Sequence, residues 1–424
     1  DRVTGITLPS NNLVGELPVR LGDMRRLTAI DISNNEVSSL PALTNIIELT
    51  TFNVSNNRLQ FDDLEPNIGI ASINYTPQKL TGQAREEKIA ANTAVTVEVP
   101  VGGTANSYQW YHNGSPIAAG TSSTYQLGPI RYENMGSYEL EITSSKVAGL
   151  TLRSEVQRVL GTAMITGSIV DLNNASVANA NGALLGVKTG AYDTTGFYNS
   201  AANGSFEIKE IVLGDYLLYG EQDKQVYIPS YYRSTIDWVF ADLIQLRDNI
   251  GDLVLTMVNV PRELTPADGD NTFKGLFESD FGDTDGKVLD RKRVQGAGVS
   301  VSRSRFRAKD NEDDYELIAY VQTDETGQFE MNNLPDGDYR VNIQYPGIPM
   351  DPSSFIDFQL GGGSGVEQNS IRINALATPT SIVVTKVEET GIYLDYFKGL
   401  TVYPNPADDY ITIRYEKLVK GRVE

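Results

Sequence analysis

The densest group of side chains able to do chemistry lies in the string SDFGDTDGKVLD, residues 279–290. Four carboxylates surround Gly286 there: Asp280, Asp283, Asp285 and Asp290. Hard cations bind several carboxylate and carbonyl oxygens on a flexible loop, and D-x-D-G supplies a tight turn. The spacing departs from a full calcium loop, because Phe281 stands where an oxygen donor is expected. Calcium is the predicted cofactor, and a solvated acidic loop stays open as the alternative.

The remaining catalytic material is sparse. The chain has no cysteine and one histidine, His112, within the turn-like string WYHNG. Cysteine nucleophiles, histidine-rich metal sites and Ser-His-Asp triads need residues that are absent or unplaced. Carboxylate-pair chemistry stays open, since 55 acidic residues always offer pairs. We therefore expect the chain not to be an enzyme.

Aromatic side chains cluster in the segment QVYIPSYYRSTIDWVFADLIQL, residues 225–246. Three of them are candidates for a sugar-stacking platform: Tyr231, Tyr232 and Trp238. Aromatic rings also cover the open edges of β-sheets, where they remove apolar surface and unpaired backbone from water. The sequence favours this second role and leaves glycan binding as the alternative.

Length and charge limit the class of protein. With 424 residues, of which 40% are hydrophobic, the chain is expected to form two to four domains. Its net charge of -20 opposes a nucleic-acid partner, which requires basic stripes. No apolar run reaches the roughly 18 residues of a transmembrane helix. Because the sequence begins at Asp1 without a leader, we expect any signal peptide to have been removed or to lie outside it.

The first part of the chain repeats the pattern L-x-x-L-x-L-x-x-N-x-L. Apolar residues recur with an asparagine in register at Asn11, Asn35 and Asn57. This pattern resembles the leucine-rich repeat, in which apolar positions point into a solenoid. The resemblance implies a solenoid over residues 1–69. Its abrupt start suggests that a cap or further sequence lies upstream.

Between residues 70 and 160 the hydrophobic period falls to two. The strings AVTVEVPV, SYQWYHNGSPI and YENMGSYELEITSS resemble an immunoglobulin-like domain. The resemblance makes Trp110 the core tryptophan and Tyr138 the tyrosine of a tyrosine corner. Apolar residues stand at the two usual cysteine positions, which removes the disulfide but leaves the sandwich.

A second internal repeat follows. The string NGSFEIKEIVLGDYLL (203–218) aligns without gaps to TGQFEMNNLPDGDYRV (326–341), and each reads as strand, tight loop, strand. Together with the strands upstream, both copies resemble prealbumin-like sandwiches. Residues 161–262 resemble a carboxypeptidase-regulatory-like domain, and residues 270–376 resemble an adhesin B-type domain. The families use such modules as spacers, and the adhesin type binds calcium at an equivalent acidic loop.

The string TVYPNPADDYITIRYE (401–416) resembles the start of the C-terminal sorting domain of the type IX secretion system of Bacteroidetes. Pro-Asn-Pro forces a rigid turn, after which Tyr410-Ile-Thr-Ile alternates into a strand. We expect a linker over 377–398 and an incomplete sorting domain over 399–424. The sorting-signal residues are Tyr403, Pro404, Asn405, Pro406, Ala407 and Asp409. Thr194 fits the short D-[ST]-x pattern of Bacteroidetes O-glycosylation.

The sequence as a whole predicts a mainly β chain with a leucine-rich repeat solenoid followed by tandem β-sandwiches, arranged as beads on a string. We expect a non-catalytic adhesion or structural protein that is secreted or displayed on the outer-membrane exterior. Its predicted partners are the type IX secretion machinery and a surface polysaccharide, a protein ligand or further copies of itself. The alternative is an accessory, carbohydrate-binding or spacer region of a larger extracellular enzyme.

Overall fold

The chain is mainly β and divides into two compact units, Asp1–Asn259 and Val260–Glu424. The structure, a computed structural model, describes residues 3–188, 191–281, 291–305, 314–345, 347–361, 369–387, 401–403 and 412–414. Among these residues, every helix is too short or too polar to cross a membrane.

Residues 3–78 wind so that their short strands stack in parallel. We call this region the N-terminal coil, where the word describes the winding of the chain and not irregular structure. Successive strands pair in register, so that Ile6 lies beside Ile30 and Ile30 lies beside Phe52. Leu27, Ile30 and Phe52 are fully buried inside the coil. The strands are β1 (Gly5–Thr7), β2 (Val14–Glu16), β3 (Ala29–Asp31), β4 (Glu36–Ser39), β5 (Thr51–Asn53) and β6 (Ile73–Asn74). The helices are α1 (Phe61–Leu64) and the 3-10 turns Val19–Asp23 and Glu65–Asn67.

Side-chain amides join the turns of this coil. The Oδ1 of Asn35 accepts hydrogen bonds from two backbone N–H groups of the preceding turn, and its Nδ2 donates to the carbonyls of Leu8 and Ile32 at 2.8 Å. Asn57 repeats the arrangement one turn later, and Gln78 repeats it once more after β6. Buried polar backbone groups need such partners. The coil therefore has a fourth turn that extends past residue 69, where the sequence predicts its end.

The middle sandwich (residues 81–162) packs on the coil through one continuous apolar core, which runs from Leu27 to Val159. Trp110 and Tyr138 are buried in it, and the Tyr138 hydroxyl donates to the Asn134 carbonyl at 2.6 Å, as a tyrosine corner does. Its strands are β7 (Arg85–Ala90), β8 (Val95–Glu98), β9 (Asn106–His112), β10 (Ser115–Pro116), β11 (Thr124–Leu127), β12 (Gly136–Ser144), β13 (Thr151–Arg153) and β14 (Gln157–Asp171).

Strand β14 belongs to two sandwiches. Its first half pairs with β7 and β12, and its second half pairs with strands of the first repeat sandwich (residues 163–259). The predicted boundary at 160/161 thus falls inside a continuous strand, and the predicted beads are joined at this point. The further strands are β15 (Asn181–Lys188), β16 (Ala191–Asn199), β17 (Ser205–Val212), β18 (Gly214–Glu221), β19 (Tyr227–Ile228), β20 (Ser230–Tyr231), β21 (Ile244–Leu246) and β22 (Ile250–Asn259).

The second unit contains the second repeat sandwich (residues 271–387), which follows the same plan. Its strands are β23 (Asn271–Ser279), β24 (Lys292–Arg293), β25 (Gly298–Arg305), β26 (Asp314–Gln322), β27 (Gln328–Leu334), β28 (Gly337–Gln344), β29 (Asp357–Leu360), β30 (Ser370–Ala377) and β31 (Ile382–Lys386). Strand β31 corrects the predicted linker over 377–398, because it pairs with β30 and buries Ile382 and Val384 in the core.

Two further strands, β32 (Thr401–Tyr403) and β33 (Thr412–Arg414), pair antiparallel with Val402 opposite Ile413.

Candidate functional site

The acidic segment follows β23 in the chain, and only its first residues are described. Asp280 is half-buried, and its backbone N–H donates to the Ala377 carbonyl at 2.8 Å. Asp283, Asp285 and Asp290 lie outside the described residues. Within the described ranges, no three histidine or acidic side chains come together in a way that could hold a metal. Calcium binding at this loop stays a prediction.

The single histidine, His112, packs within the middle sandwich. The ring of His112 stacks on the ring of Tyr138, with centroids 4.6 Å apart and 16° between planes. Its Nε2 lies 2.9 Å from the Met135 carbonyl oxygen. Burial raises the pKa of the Tyr138 hydroxyl, because the phenolate would lose its hydration. These contacts join two strands and hold the ring in the sandwich wall.

Thr194 and the aromatic candidates share one face of the first repeat sandwich. Thr194 is exposed on edge strand β16 and pairs with Leu185, which in turn pairs with Leu217. Cross-strand partners point to the same side of a sheet. Thr194 is therefore accessible on the face that carries Leu185 and Leu217, turned away from the sandwich core.

The segment of residues 230–243, here called the strap, covers this outer face. Tyr231 is 1% exposed and forms a small apolar cluster with Leu185 and Leu217, on which Trp238 packs. Tyr232 packs instead against the sandwich core. Tyr231 therefore offers no ring face to a sugar. Tyr231 and Trp238 cover the outer face of the sheet, whereas the sequence favours a cover over an open sheet edge.

The sorting-signal residues are almost wholly beyond the described part of the chain. Tyr403 ends β32, and Pro404, Asn405, Pro406, Ala407 and Asp409 lie outside the described residues. In the chain, β32 precedes the Pro-Asn-Pro segment and β33 follows it, and the two strands pair antiparallel.

An open cleft of about 610 Å³ lies where the N-terminal coil meets the middle sandwich. Gln60 lines it from the coil, and Glu98 to Gly102, at the end of β8 and just after it, form one wall. Tyr108 of β9 lines it together with Ser123 and Thr124 at the start of β11. No local motif marks these residues, because four separate segments come together only after folding.

Hydrogen bonds to the coil hold the wall of the cleft. The N–H of Gly102 donates to Gln60 Oε1 at 2.8 Å, and the N–H and hydroxyl of Thr104 donate to the Glu65 carboxylate at 2.7 and 2.8 Å. These bonds lower the pKa of Glu65, since they favour its charged form. A side chain at Gly102 would collide with the Asp62 carboxylate, as its Cβ would lie 2.0 Å from Cγ.

Comparisons of sequence found no protein-family profile and no curated protein that matches the chain. Comparisons of structure found the TIE protein of Bacillus anthracis at a TM-score of 0.24 and 12% identity, covering 72% of this chain and 56% of that one. A streptococcal ancillary pilin follows with a TM-score of 0.19, 14% identity, and 60% and 78% coverage.

The minor pilin GBS52 of Streptococcus agalactiae gives a TM-score of 0.18 and 10% identity, covering 55% of this chain and 99% of that one. This chain spans just over half the length of the TIE protein. Such scores do not define a common overall fold, and they say nothing of function.

Proposed function

We propose that the chain is a non-catalytic, secreted or cell-surface adhesion or structural protein. The observation that carries the proposal is the way its modules are joined between residues 3 and 259. The coil and the middle sandwich share one apolar core, and β14 runs unbroken from the middle sandwich into the next. Such junctions hold modules in fixed order and spacing, which suits a spacer or a display scaffold.

Contacts of Arg247 reinforce the junction between the middle sandwich and the first repeat sandwich. The Arg247 guanidinium lies 4.1 Å from the centre of the Tyr132 ring, and it donates to Asp215 at 2.8 Å and to the Gly214 carbonyl at 2.9 Å. Tyr132 belongs to the middle sandwich and the other residues belong to the first repeat sandwich. Planar, delocalised guanidinium groups suit such combined stacking and hydrogen bonding.

In this proposal the N-terminal coil is a leucine-rich repeat solenoid, the middle sandwich is immunoglobulin-like and the two repeat sandwiches are prealbumin-like spacers. The ladder of Asn35, Asn57 and Gln78 supports the first assignment. The buried Trp110 and the Tyr138 corner support the second. Calcium binding at residues 280–290 and glycosylation at Thr194 are part of the same proposal.

Export through the type IX secretion system rests on the resemblance of residues 401–416, and the pairing of β32 with β33 agrees with a turn followed by a strand. The test is to delete the segment from residue 401 onward in the full-length protein, in a host that carries this system. We expect the protein to accumulate in the periplasm. Normal surface display without the segment would refute the export route.

The calcium proposal has a separate test. Thermal unfolding of the full chain is followed in millimolar calcium and then in EDTA, with Asp285→Asn as the matched variant. We expect calcium to raise the melting temperature of the second unit in the parent chain and not in the variant. An unchanged melting curve in EDTA would remove calcium from the proposal.

A further inference from the structure

We propose that the cleft between the N-terminal coil and the middle sandwich binds a neutral saccharide. The inference rests on the proposed binding role and is independent of the export route. The volume of the cleft, about 610 Å³, lies within the range typical of small-molecule sites, about 300–1,000 Å³.

The polar groups of the cleft match a polyhydroxylated ligand. Ser123, Thr124 and Glu98 are exposed there, and together they offer hydroxyl groups that both donate and accept and a carboxylate that accepts. The half-buried Tyr108 adds an aromatic ring to the lining. An aromatic ring beside hydroxyl and carboxylate groups suits a ligand with apolar C–H faces and a polar rim, which describes a sugar ring.

The charge of the cleft selects against anions. Glu98 is the only charged residue in its lining among the described residues, and the chain as a whole carries a net charge of -20. A phosphate, sulfate or uronate group would meet this carboxylate without a cation to pair with it. A neutral saccharide meets no such repulsion.

The wall that contains Gly102 is held by hydrogen bonds from both sides. Gln60 is committed on both sides of its amide, because Oε1 accepts from Gly102 and Nε2 donates to Thr81 Oγ1 at 3.1 Å. Asn106 Nδ2 donates to the Gly102 carbonyl at 3.0 Å and holds the same loop from the sandwich side. A wall tied down in this way loses little conformational entropy on binding, which favours affinity.

The test uses the full chain and a panel of short oligosaccharides, neutral ones beside uronate-containing and sulfated ones. Hits are titrated by calorimetry against three variants: Ser123→Trp, which fills the cleft; Glu98→Gln, which removes its charge; and Tyr232→Ala on the distant strap, as the matched control. Tryptophan fluorescence during thermal unfolding checks that each variant folds.

We expect a neutral saccharide to bind, Ser123→Trp to weaken it by at least about tenfold and Tyr232→Ala to change it by less than about twofold. We also expect Glu98→Gln to weaken a neutral ligand through loss of an acceptor. The proposal is overturned if no neutral saccharide binds up to about 10 mM, if the Ser123→Trp protein binds as the parent does, or if only Tyr232→Ala loses binding. None of these outcomes bears on the surface-display test.

Discussion

The two repeat sandwiches share a plan and differ in what covers their outer sheets. In both, a glycine on the first strand, Gly167 or Gly275, allows a phenylalanine ring to approach to 2.7 Å of where its Cβ would lie. In both, a G-D-Y tyrosine donates to a carbonyl four residues earlier, at 2.6 Å for Tyr216 and 2.7 Å for Tyr339. These shared features belong to the inner face and form the common core.

The outer faces diverge. In the first repeat the central strands turn Ala183, Leu185, Leu217 and Tyr219 outward, and in the second the equivalent positions hold Ser300, Ser302, Arg340 and Asn342. The connector before the last strand pair runs over residues 222–243 in the first repeat and over only 345–356 in the second. The longer connector supplies the strap, and an apolar face exists where a strap covers it.

The two sandwiches also differ in which segment pairs with the exposed side of an equivalent strand, β22 in the first and β30 in the second. In the first repeat the connector supplies β19, which pairs with the end of β22. In the second repeat the chain turns back after β30 and supplies β31, which pairs with residues 373–377. Each sandwich thus protects the exposed side of the equivalent strand, one with a connector and the other with a strand from beyond the predicted boundary.

The largest expected effect comes from removing the ring that fastens the strap. Tyr231→Ala deletes a fully buried side chain that packs on Leu185 and Leu217, with its ring 5.3 Å from that of Tyr219. We expect a loss of about 3–5 kcal/mol in the free energy of unfolding of the first unit. Both tryptophans of the chain, Trp110 and Trp238, lie in that unit, so denaturant titration by tryptophan fluorescence measures it.

The matched control for the strap is Phe240→Ala, because Phe240 lies on the same segment but is 76% exposed. It is expected to change stability by less than about 0.5 kcal/mol. Equal losses for the two variants would mean that the strap does not stabilise the sheet through its buried ring.

The second effect tests β31 in the other sandwich. Ile382→Ala removes a fully buried side chain from the core of the second unit, with an expected cost of about 2–4 kcal/mol. The neighbouring Val383 is half-buried, and Val383→Ala is the control with a smaller cost. Hydrogen exchange of β30 peptides measures the loss. Equal protection in parent and Ile382→Ala would show that residues 382–386 add no stability.

The third effect concerns the feature that the repeats share. Tyr216→Phe and Tyr339→Phe each remove one hydroxyl that donates to a backbone carbonyl, and each is expected to cost about 1 kcal/mol. Denaturant titration of each unit measures the two values, with Tyr219→Phe as a control, since that hydroxyl donates to the half-buried Glu221 carboxylate. If only one of the two variants lost stability, the tyrosine hydroxyl bonds of the two repeats would not be equivalent.

Alkaline pH tests the second corner independently. Burial raises the pKa of Tyr339 to about 12, above the roughly 10 of an unfolded tyrosine. A raised pKa favours the protonated hydroxyl in the folded state, so its contribution is complete below about pH 10 and is lost between about pH 10 and 12. Tyr339→Phe should flatten the alkaline decline of stability in the second unit. An identical decline in both proteins would contradict the assignment.

Local pattern was sufficient for the elements with a strong period. The asparagine register predicts the repeating short strands of the coil. The G-D-Y strings predict the successive strands β17 and β18 and, in the second repeat, β27 and β28, although the two strands of each copy lie in different sheets. The fourth coil turn was readable too, because Ile70, Ile73, Tyr75 and Gln78 keep the offsets of Leu49, Phe52, Val54 and Asn57. The asparagine pattern does not predict this turn, because glutamine replaces asparagine at residue 78.

The remaining features depend on contacts between distant segments. Nothing within residues 157–171 tells whether a long alternating strand serves one sandwich or two, since both halves need the same period. The cleft is likewise invisible in sequence, because Gln60 and Ser123 meet only through the shared core of coil and sandwich. The predicted catalytic absence and calcium loop remain predictions.

The smallest expected effect lies on the polar outer face. Arg340 occupies the position of Leu217 and bonds Asp357 at 2.7 and 3.0 Å, with both side chains about half exposed. Exposed ion pairs contribute about 0–1 kcal/mol, so a double-mutant cycle of Arg340→Ala and Asp357→Ala should give a coupling of about 0.5 kcal/mol. Leu217→Ala, at the equivalent position, should cost about 2–4 kcal/mol because it leaves a cavity beneath the strap. A coupling as large as that cavity effect would mean that the ion pair stabilises its sheet as much as the strap does, and the contrast between an apolar face under the strap and a polar face would fail.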